Sequence, residues 1–218
     1  MFATDRDLLV LEPRLFFDVS WTAQKLFESA SGGAVSTPGD TLTVAGAGFD
    51  ALRVGAGMIA LVGTAPVTPL EVIARTGATT LSVSRLRAAT SDEALPAPAG
   101  TGLRVVIHTF APQIGLVHAQ LLRLVGIDPD HPPHDGPSAS SITNPRRFAL
   151  AEALGALHLI FASAAALTGE SSPAWARAQM YAQRFREERS RLVAELDLDG
   201  DGLPEVTRRP NVLRVARW

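Results

Sequence analysis

Carboxylates recur at alternate positions near the end of the sequence. Asp197, Asp199 and Asp201 are followed by Gly202, in the order D-x-D-x-D-G. Oxygen ligands at the first, third and fifth positions, with glycine at the sixth, form the first half of a calcium-binding loop. The twelfth position, where such a loop has a bidentate glutamate, is Arg208. Two interpretations therefore stay open: a loop that binds calcium or another cation, and a tight turn that reverses the chain.

A second group of potential metal ligands lies in a proline-rich stretch. His131 and His134 stand among Asp128, Asp130 and Asp135. Imidazole and carboxylate groups can bind divalent metal ions. The intervening prolines predict an extended surface linker, with no helix to fix the ligands, so a plain loop is the alternative.

Nucleophiles and bases do not assemble into a catalytic pattern. The chain has no cysteine, which excludes thiol nucleophiles, thiolate metal sites and disulfides. No serine lies in the strand–turn–helix context of a nucleophile elbow, which disfavours a hydrolase. Gly46 and Gly48 are not followed by the lysine of a phosphate-binding loop, so they predict a turn or bulge. The sequence therefore predicts a protein that is not an enzyme.

Length and charge set broader bounds. With 218 residues, 46% of them hydrophobic, the chain can bury a core in one domain or two small ones. A net charge of −2 and a pI near 6.2 predict no general attraction to nucleic acid or to an anionic membrane. The first residues lack the basic start and apolar run that are typical of a signal peptide.

Two helices are predicted before the Asp-Gly stretch. The first begins with Asn144 as N-cap and Pro145 at its first position, and it ends at Gly169. The second begins at Pro173. Apolar residues three and four positions apart predict a packing face on each helix. These packing residues are Leu150, Leu154, Leu157 and Phe161 on the first helix and Tyr181, Phe185 and Leu192 on the second.

The two helices differ in their remaining faces. The first is apolar over much of its circumference, which predicts burial on two sides. A membrane span is disfavoured because it needs about 20 apolar residues, whereas Glu152 and His158 interrupt this run. The second helix has a charge-rich face, which is either a solvated surface or a charged contact with a neighbouring subunit.

The predicted fold class is α+β: a helical bundle core with a small antiparallel β-barrel or sandwich insertion and an extended C-terminal tail. Short strands between residues 36 and 109, at spacings of roughly eight to twelve residues, are typical of such an insertion. Residues 31–33 are interpreted as a turn. The domains are an aromatic lead-in helix or arm (1–35), the β domain (36–109), a helical domain (110–196) with a Pro-rich linker (127–144), and the Asp-Gly turn with a terminal strand (197–218).

The terminal segment alternates apolar and basic residues, which predicts an extended strand that ends on an aromatic side chain. A lone strand needs a partner edge, either in its own sheet or on another protein. The candidate docking residues of this segment are Val206, Arg208, Arg209, Val212, Leu213, Arg214, Val215, Arg217 and Trp218.

Three stretches together resemble the head-to-tail adaptor (connector) proteins of tailed bacteriophages: LAEALGALHLIFASAAAL, then WARAQMYAQRFREERSRLVAELDLDGDG, then RRPNVLRVARW. The resemblance covers about a third of the chain. The large β region, residues 36–109, departs from the simplest helical members of that group.

This resemblance implies a virion structural protein that assembles in the host cytoplasm. Its copies would form a ring, commonly of twelve, beneath the portal, with residues 206–218 docking onto the portal protein. The ring would also meet the next neck or tail component, let DNA pass through its lumen without sequence recognition, and make no membrane contact. No cofactor is predicted, although calcium at Asp197, Asp199 and Asp201 stays open as a candidate. A cation-dependent binding module that uses this loop is the alternative function.

Overall fold

The structure is a computed structural model that describes residues 1–130 and 136–210. The chain divides into two compact units. One, here called the barrel unit, consists of Thr4–Phe110. The other, the helical unit, combines Met1–Ala3 with the described residues from Ala111 onward. The first three residues of the predicted lead-in thus belong with the helices, and the rest of it belongs with the barrel.

The barrel unit starts with two short helices, α1 (Asp5–Leu11) and α2 (Leu15–Asp18), and a 3-10 turn at Ser20–Thr22. Six strands follow, all paired antiparallel, and they close into a barrel in the order β1-β2-β5-β4-β3-β6. The strands are β1 (Gln24–Val35), β2 (Thr41–Val44), β3 (Ile59–Val62), β4 (Thr68–Arg75), β5 (Thr80–Arg85) and β6 (Gly100–Thr109).

The barrel has a hydrophobic core of its own. Successive side chains of a strand point to opposite faces, so apolar residues two positions apart share the inner face. The buried pairs are Leu42 and Val44, Leu70 and Val72, Leu81 and Val83, and Val105 and Ile107, with Phe49 from the β2–β3 connection.

The turn predicted at residues 31–33 is wrong, because these residues lie within β1. β1 pairs with both β2 and β6, and it completes the closure. A side chain at Gly33 would place its Cβ 2.4 Å from a Val105 methyl group and 2.8 Å from the Leu103 carbonyl oxygen. Glycine is needed here for close strand approach, which the sequence pattern did not distinguish from a turn.

The helical unit contains α3 (Ala111–Leu124), α4 (Pro145–Thr168) and α5 (Pro173–Arg191). A hairpin follows, formed by β7 (Ala194–Leu196) and β8 (Val206–Arg208). Pro145 and Pro173 both stand in the first helical turn, and the Ser172 hydroxyl accepts a hydrogen bond from the Trp175 amide. The local start signals therefore coincide with the observed helix starts.

α4 packs against both α3 and α5. A Cβ at Gly155 would lie 2.7 Å from Val117 of α3 and 3.1 Å from Phe185 of α5, so the three helices approach closely at this glycine. The Phe161 and Tyr181 rings stack with centroids 5.8 Å apart. Of the predicted packing residues, Leu154, Leu157, Phe161, Tyr181, Phe185 and Leu192 are buried, whereas Leu150 is 41% exposed.

By length and composition α4 could also cross a membrane, and it is the one such helix in the described ranges. Most of its apolar window is buried inside the protein, as in the core helix of a soluble domain. Glu152, near its middle, is fully buried.

The predicted architecture is wrong in its central element. The fold is α+β, but the described residues show a closed six-stranded barrel as an independent unit rather than a β insertion in a helical bundle core. The prediction failed because it left β1 out of the β region. Without β1 the remaining strands cannot close into a barrel, so they were predicted to be an insertion in the helical domain. Within the predicted tail, residues 206–208 pair with β7 of their own chain.

Candidate functional site

The Asp-Gly loop, residues 197–205, connects β7 to β8. Side-chain oxygens of Asp197, Asp199, Asp201 and Glu205 all lie within 4.8 Å of one another. Glu205 stands at the ninth position of the calcium-loop pattern. The structure thus brings the three predicted ligands together and adds a fourth carboxylate. Oxygen donors in this number suit a hard cation such as calcium.

Backbone amides of the loop donate hydrogen bonds to some of the oxygen atoms of these carboxylates. Asp197 accepts hydrogen bonds from the Gly200 amide (2.6 Å) and the Gly202 amide (2.9 Å), and these bonds hold the pKa of its carboxyl below the usual value. Asp201 accepts from the Leu203 amide at 2.7 Å. The loop is therefore ordered by its own amides, so convergence of the carboxylates does not itself require an ion.

The C-terminal end of α3 borders a cavity of about 530 Å³, here called the arginine cavity. Its lining includes three arginines: Arg123, Arg208 and Arg209. Arg208 donates hydrogen bonds to the carbonyl oxygens of Val125 (2.9 Å) and Gly126 (3.1 Å). Cations are favoured there because the last carbonyls of a helix carry partial negative charge.

The other two arginines of the cavity differ in their partners. Arg123 pairs with the Asp130 carboxylate. Arg209 is exposed and makes no hydrogen bond or ion pair with the described residues. The cavity therefore offers a guanidinium group that nothing in the described chain neutralises.

Most of the predicted docking segment lies outside the described residues. Val206 and Arg208 belong to β8, and Arg209 lines the arginine cavity. Outside the described ranges lie Val212, Leu213, Arg214, Val215, Arg217 and Trp218, together with His131, His134 and Asp135 of the linker.

Sequence reasoning treated Glu152 only as an interruption of an apolar helix. Its carboxylate accepts hydrogen bonds from the backbone amides of Phe2 and Ala3, both at 2.8 Å. The other oxygen lies 2.5 Å from His118 Nδ1. The Phe2 ring packs against the His118 and Phe148 rings. A charged residue inside an apolar helix was the available signal, since a buried carboxylate needs partners.

A second buried carboxylate, Glu71 of β4, was also missed. It lies between two guanidinium groups: Arg6 Nε of α1 at 2.8 Å and Arg87 Nε. Arg6 also donates to the Arg87 carbonyl at 2.6 Å, and Arg87 donates to the Asp92 carbonyl at 2.7 Å. This network fixes α1 to the barrel.

The barrel surface carries one further groove, beside the end of β6. His108 Nδ1 is buried there and has no hydrogen-bond partner in the described chain. Burial lowers the pKa of His108, and the charge of nearby Lys25 adds to this effect. The lining also includes Arg104, the exposed Trp21 and Glu28, whose carboxylate pairs with both Lys25 and Arg104.

The histidines of the described ranges have identified surroundings. No serine in the described ranges hydrogen-bonds a histidine. The partner of His118 is Glu152, and that of His158 is the Ala178 carbonyl.

Comparisons of the chain with protein-family models, with curated proteins and with solved structures return no match.

Proposed function

We propose that this protein is a head-to-tail adaptor of a tailed bacteriophage: a virion structural protein, without catalytic activity, that forms a homo-oligomeric ring beneath the portal and joins it to the tail. In this proposal DNA passes through the lumen, and residues 211–218, the part of the predicted docking segment beyond Pro210, dock onto the portal. The sequence resemblance supports it over α4, α5 and the terminal segment.

One observation carries the proposal: the α4–α5 pair keeps large apolar side chains at its surface. Leu167 is 78% exposed, Met180 43%, Leu150 41% and Trp175 38%. Contiguous exposed apolar surface is typical of surfaces that other proteins cover, and we infer that these side chains contribute to such surfaces at the two ends of α4 and along α5. Subunits of a ring need such surfaces on their flanks, because each copy contacts two neighbours.

Co-sedimentation with a purified portal ring encoded beside this chain tests the proposal. The full chain is expected to sediment with the portal. A chain that ends at Pro210 is expected to stay in the supernatant, because it lacks the proposed docking segment. This truncation keeps β8 and the Arg208 hydrogen bonds to α3, so its melting temperature should be unchanged.

Failure of the full chain to bind the portal would contradict the adaptor function. Equal binding by the truncated chain would instead show that residues 211–218 are not the docking segment.

The convergence of four carboxylates in the Asp-Gly loop favours a second candidate, a cation-dependent binding module. Ligand binding to the folded state alone raises stability, so calcium should raise the melting temperature of the chain. Asp199→Asn should abolish this shift, with magnesium as the comparison ion. A melting temperature that is the same with millimolar calcium and with chelator would exclude this candidate.

A further inference from the structure

Two surfaces of opposite charge, the arginine cavity and the Asp-Gly loop, lie on the helical unit. We propose that the arginine cavity of one copy binds the Asp-Gly loop of a second copy, in a contact that repeats around the ring. The inference rests on the proposed ring function and names the surfaces that join neighbouring subunits.

The loop supplies the anionic side of this contact. Asp199 and Asp201 are exposed, and each uses one carboxylate oxygen for a loop amide. No ion pair within the described ranges neutralises either residue, nor Asp197 or Glu205. Four carboxylates within 4.8 Å repel one another, so a cationic partner would relieve this repulsion.

The cavity supplies the cationic side. Arg209 has no partner in the described part of the chain, and Arg208 binds only neutral carbonyl groups through its guanidinium. Planar guanidinium groups match carboxylates with two parallel hydrogen bonds. A cavity of about 530 Å³ is large enough to admit the side chains of a loop tip.

The two surfaces do not pair within one copy in the described residues. Arg208 lies opposite Ala194 at the open end of the β7–β8 hairpin, and the loop closes the other end. Arg208 follows Glu205 by three residue steps along the strand, which is about 10 Å. A contact between different patches of two copies is either reciprocal, as in a two-fold dimer, or heterologous; heterologous contacts generate rings when the rotation closes, and the proposed ring function requires this second kind.

Charge reversal tests the contact, with self-association measured by sedimentation velocity at low salt with chelator. Arg209→Glu and Asp199→Lys are each expected to weaken self-association at least about tenfold, because like charges then face each other. An equimolar mixture of the two variants should associate again, since each restores an opposite pair for the other. Arg208 stays unchanged because its guanidinium group bonds to the carbonyl oxygens of Val125 and Gly126, just after α3.

The matched control is Arg146→Glu, which changes the net charge equally at an exposed arginine of α4 outside the cavity. It is expected to associate like the wild type. The inference is overturned if the wild type stays monomeric at every concentration, if Arg209→Glu associates normally, or if the mixture stays dissociated.

Portal co-sedimentation of the same variants separates this inference from the proposed function. If the wild type binds the portal but the charge reversals leave self-association unchanged, the inference is overturned and the proposed function stands. Loss of portal binding by Arg209→Glu, without loss of self-association, would assign the cavity to the portal instead and overturn the inference.

Discussion

Each of the two units buries a glutamate that binds residues near the start of the chain, but different chemical groups surround the two carboxylates. In the helical unit, Glu152 is surrounded by two backbone amides and His118. In the barrel unit, Glu71 lies between the guanidinium groups of Arg6 and Arg87. The difference shows that a buried carboxylate can be stabilised by backbone amides together with an imidazole, or by two guanidinium groups.

The two arrangements should respond differently to loss of the carboxylate charge. Backbone amides are neutral, so a neutral acceptor at position 152 can still bind them. Arginine stays charged at every relevant pH, so loss of the charge at position 71 leaves the buried Arg87 without a counter-ion and leaves Arg6 with Asp7 alone, at 3.5 Å. A third buried carboxylate is Asp5, whose pKa is shifted by burial and by hydrogen bonds, with no contribution from a cation. It is the comparison for the other two carboxylates.

The largest effect is expected for Glu71→Gln. Removing one partner of a buried ion pair costs about 3–5 kcal/mol, because the remaining charge is uncompensated. Hydrogen exchange of the β4 and β5 amides should report this loss in the barrel unit. Glu28→Gln is the control: Glu28 pairs with Arg104 and Lys25 at the surface, and the same amides should exchange as in the wild type. Equal exchange in both variants would contradict the structural role of the network.

A smaller, pH-dependent effect is expected for Asp5→Asn. Burial raises the pKa of Asp5 to about 6, although hydrogen bonds from Thr109 and from the Phe110 amide oppose the shift. A carboxyl whose pKa is higher in the folded than in the unfolded state stabilises the fold at pH values below its unfolded-state pKa. This stabilisation is lost as the pH rises through about 6. Relative to wild type, the variant should therefore gain about 3 kcal/mol between acidic and neutral pH.

Urea unfolding of both proteins across this pH range measures the effect. Parallel stability curves for wild type and Asp5→Asn would show that Asp5 titrates normally and is accessible to water.

The smallest effect is expected for Glu152→Gln. The glutamine oxygen can still accept from the Phe2 or Ala3 amide, so only the charge-assisted part of these bonds is lost, about 2 kcal/mol. Exchange of these two amides should become faster, whereas that of the barrel amides should not. A loss as large as that of Glu71→Gln would contradict the distinction between the two sites.

Local signals predicted much of the helical unit. Pro145 and Pro173, which mark the predicted starts of two helices, stand in the first turns of α4 and α5. These signals act within one or two turns and need no knowledge of distant residues. The same holds for the Asp-Gly pattern, whose carboxylates converge through amides of the same loop.

Features that depend on distant pairing were not predicted. The polar, glycine-containing β1 becomes a strand because β6 pairs with it, and Gly33 is required by contact with Val105. The partners of Glu71 lie 65 and 16 residues away, and those of Glu152 lie up to 150 residues away. Spacing along the sequence contains no direct signal for such contacts.

Electron microscopy of the full chain mixed with its portal tests the adaptor function most directly. If the chain is an adaptor, we expect a second ring, of about twelve copies, stacked on one end of the portal. The helical units of neighbouring copies should be in contact. A bare portal, with the chain left as free monomers in the same images, would contradict it.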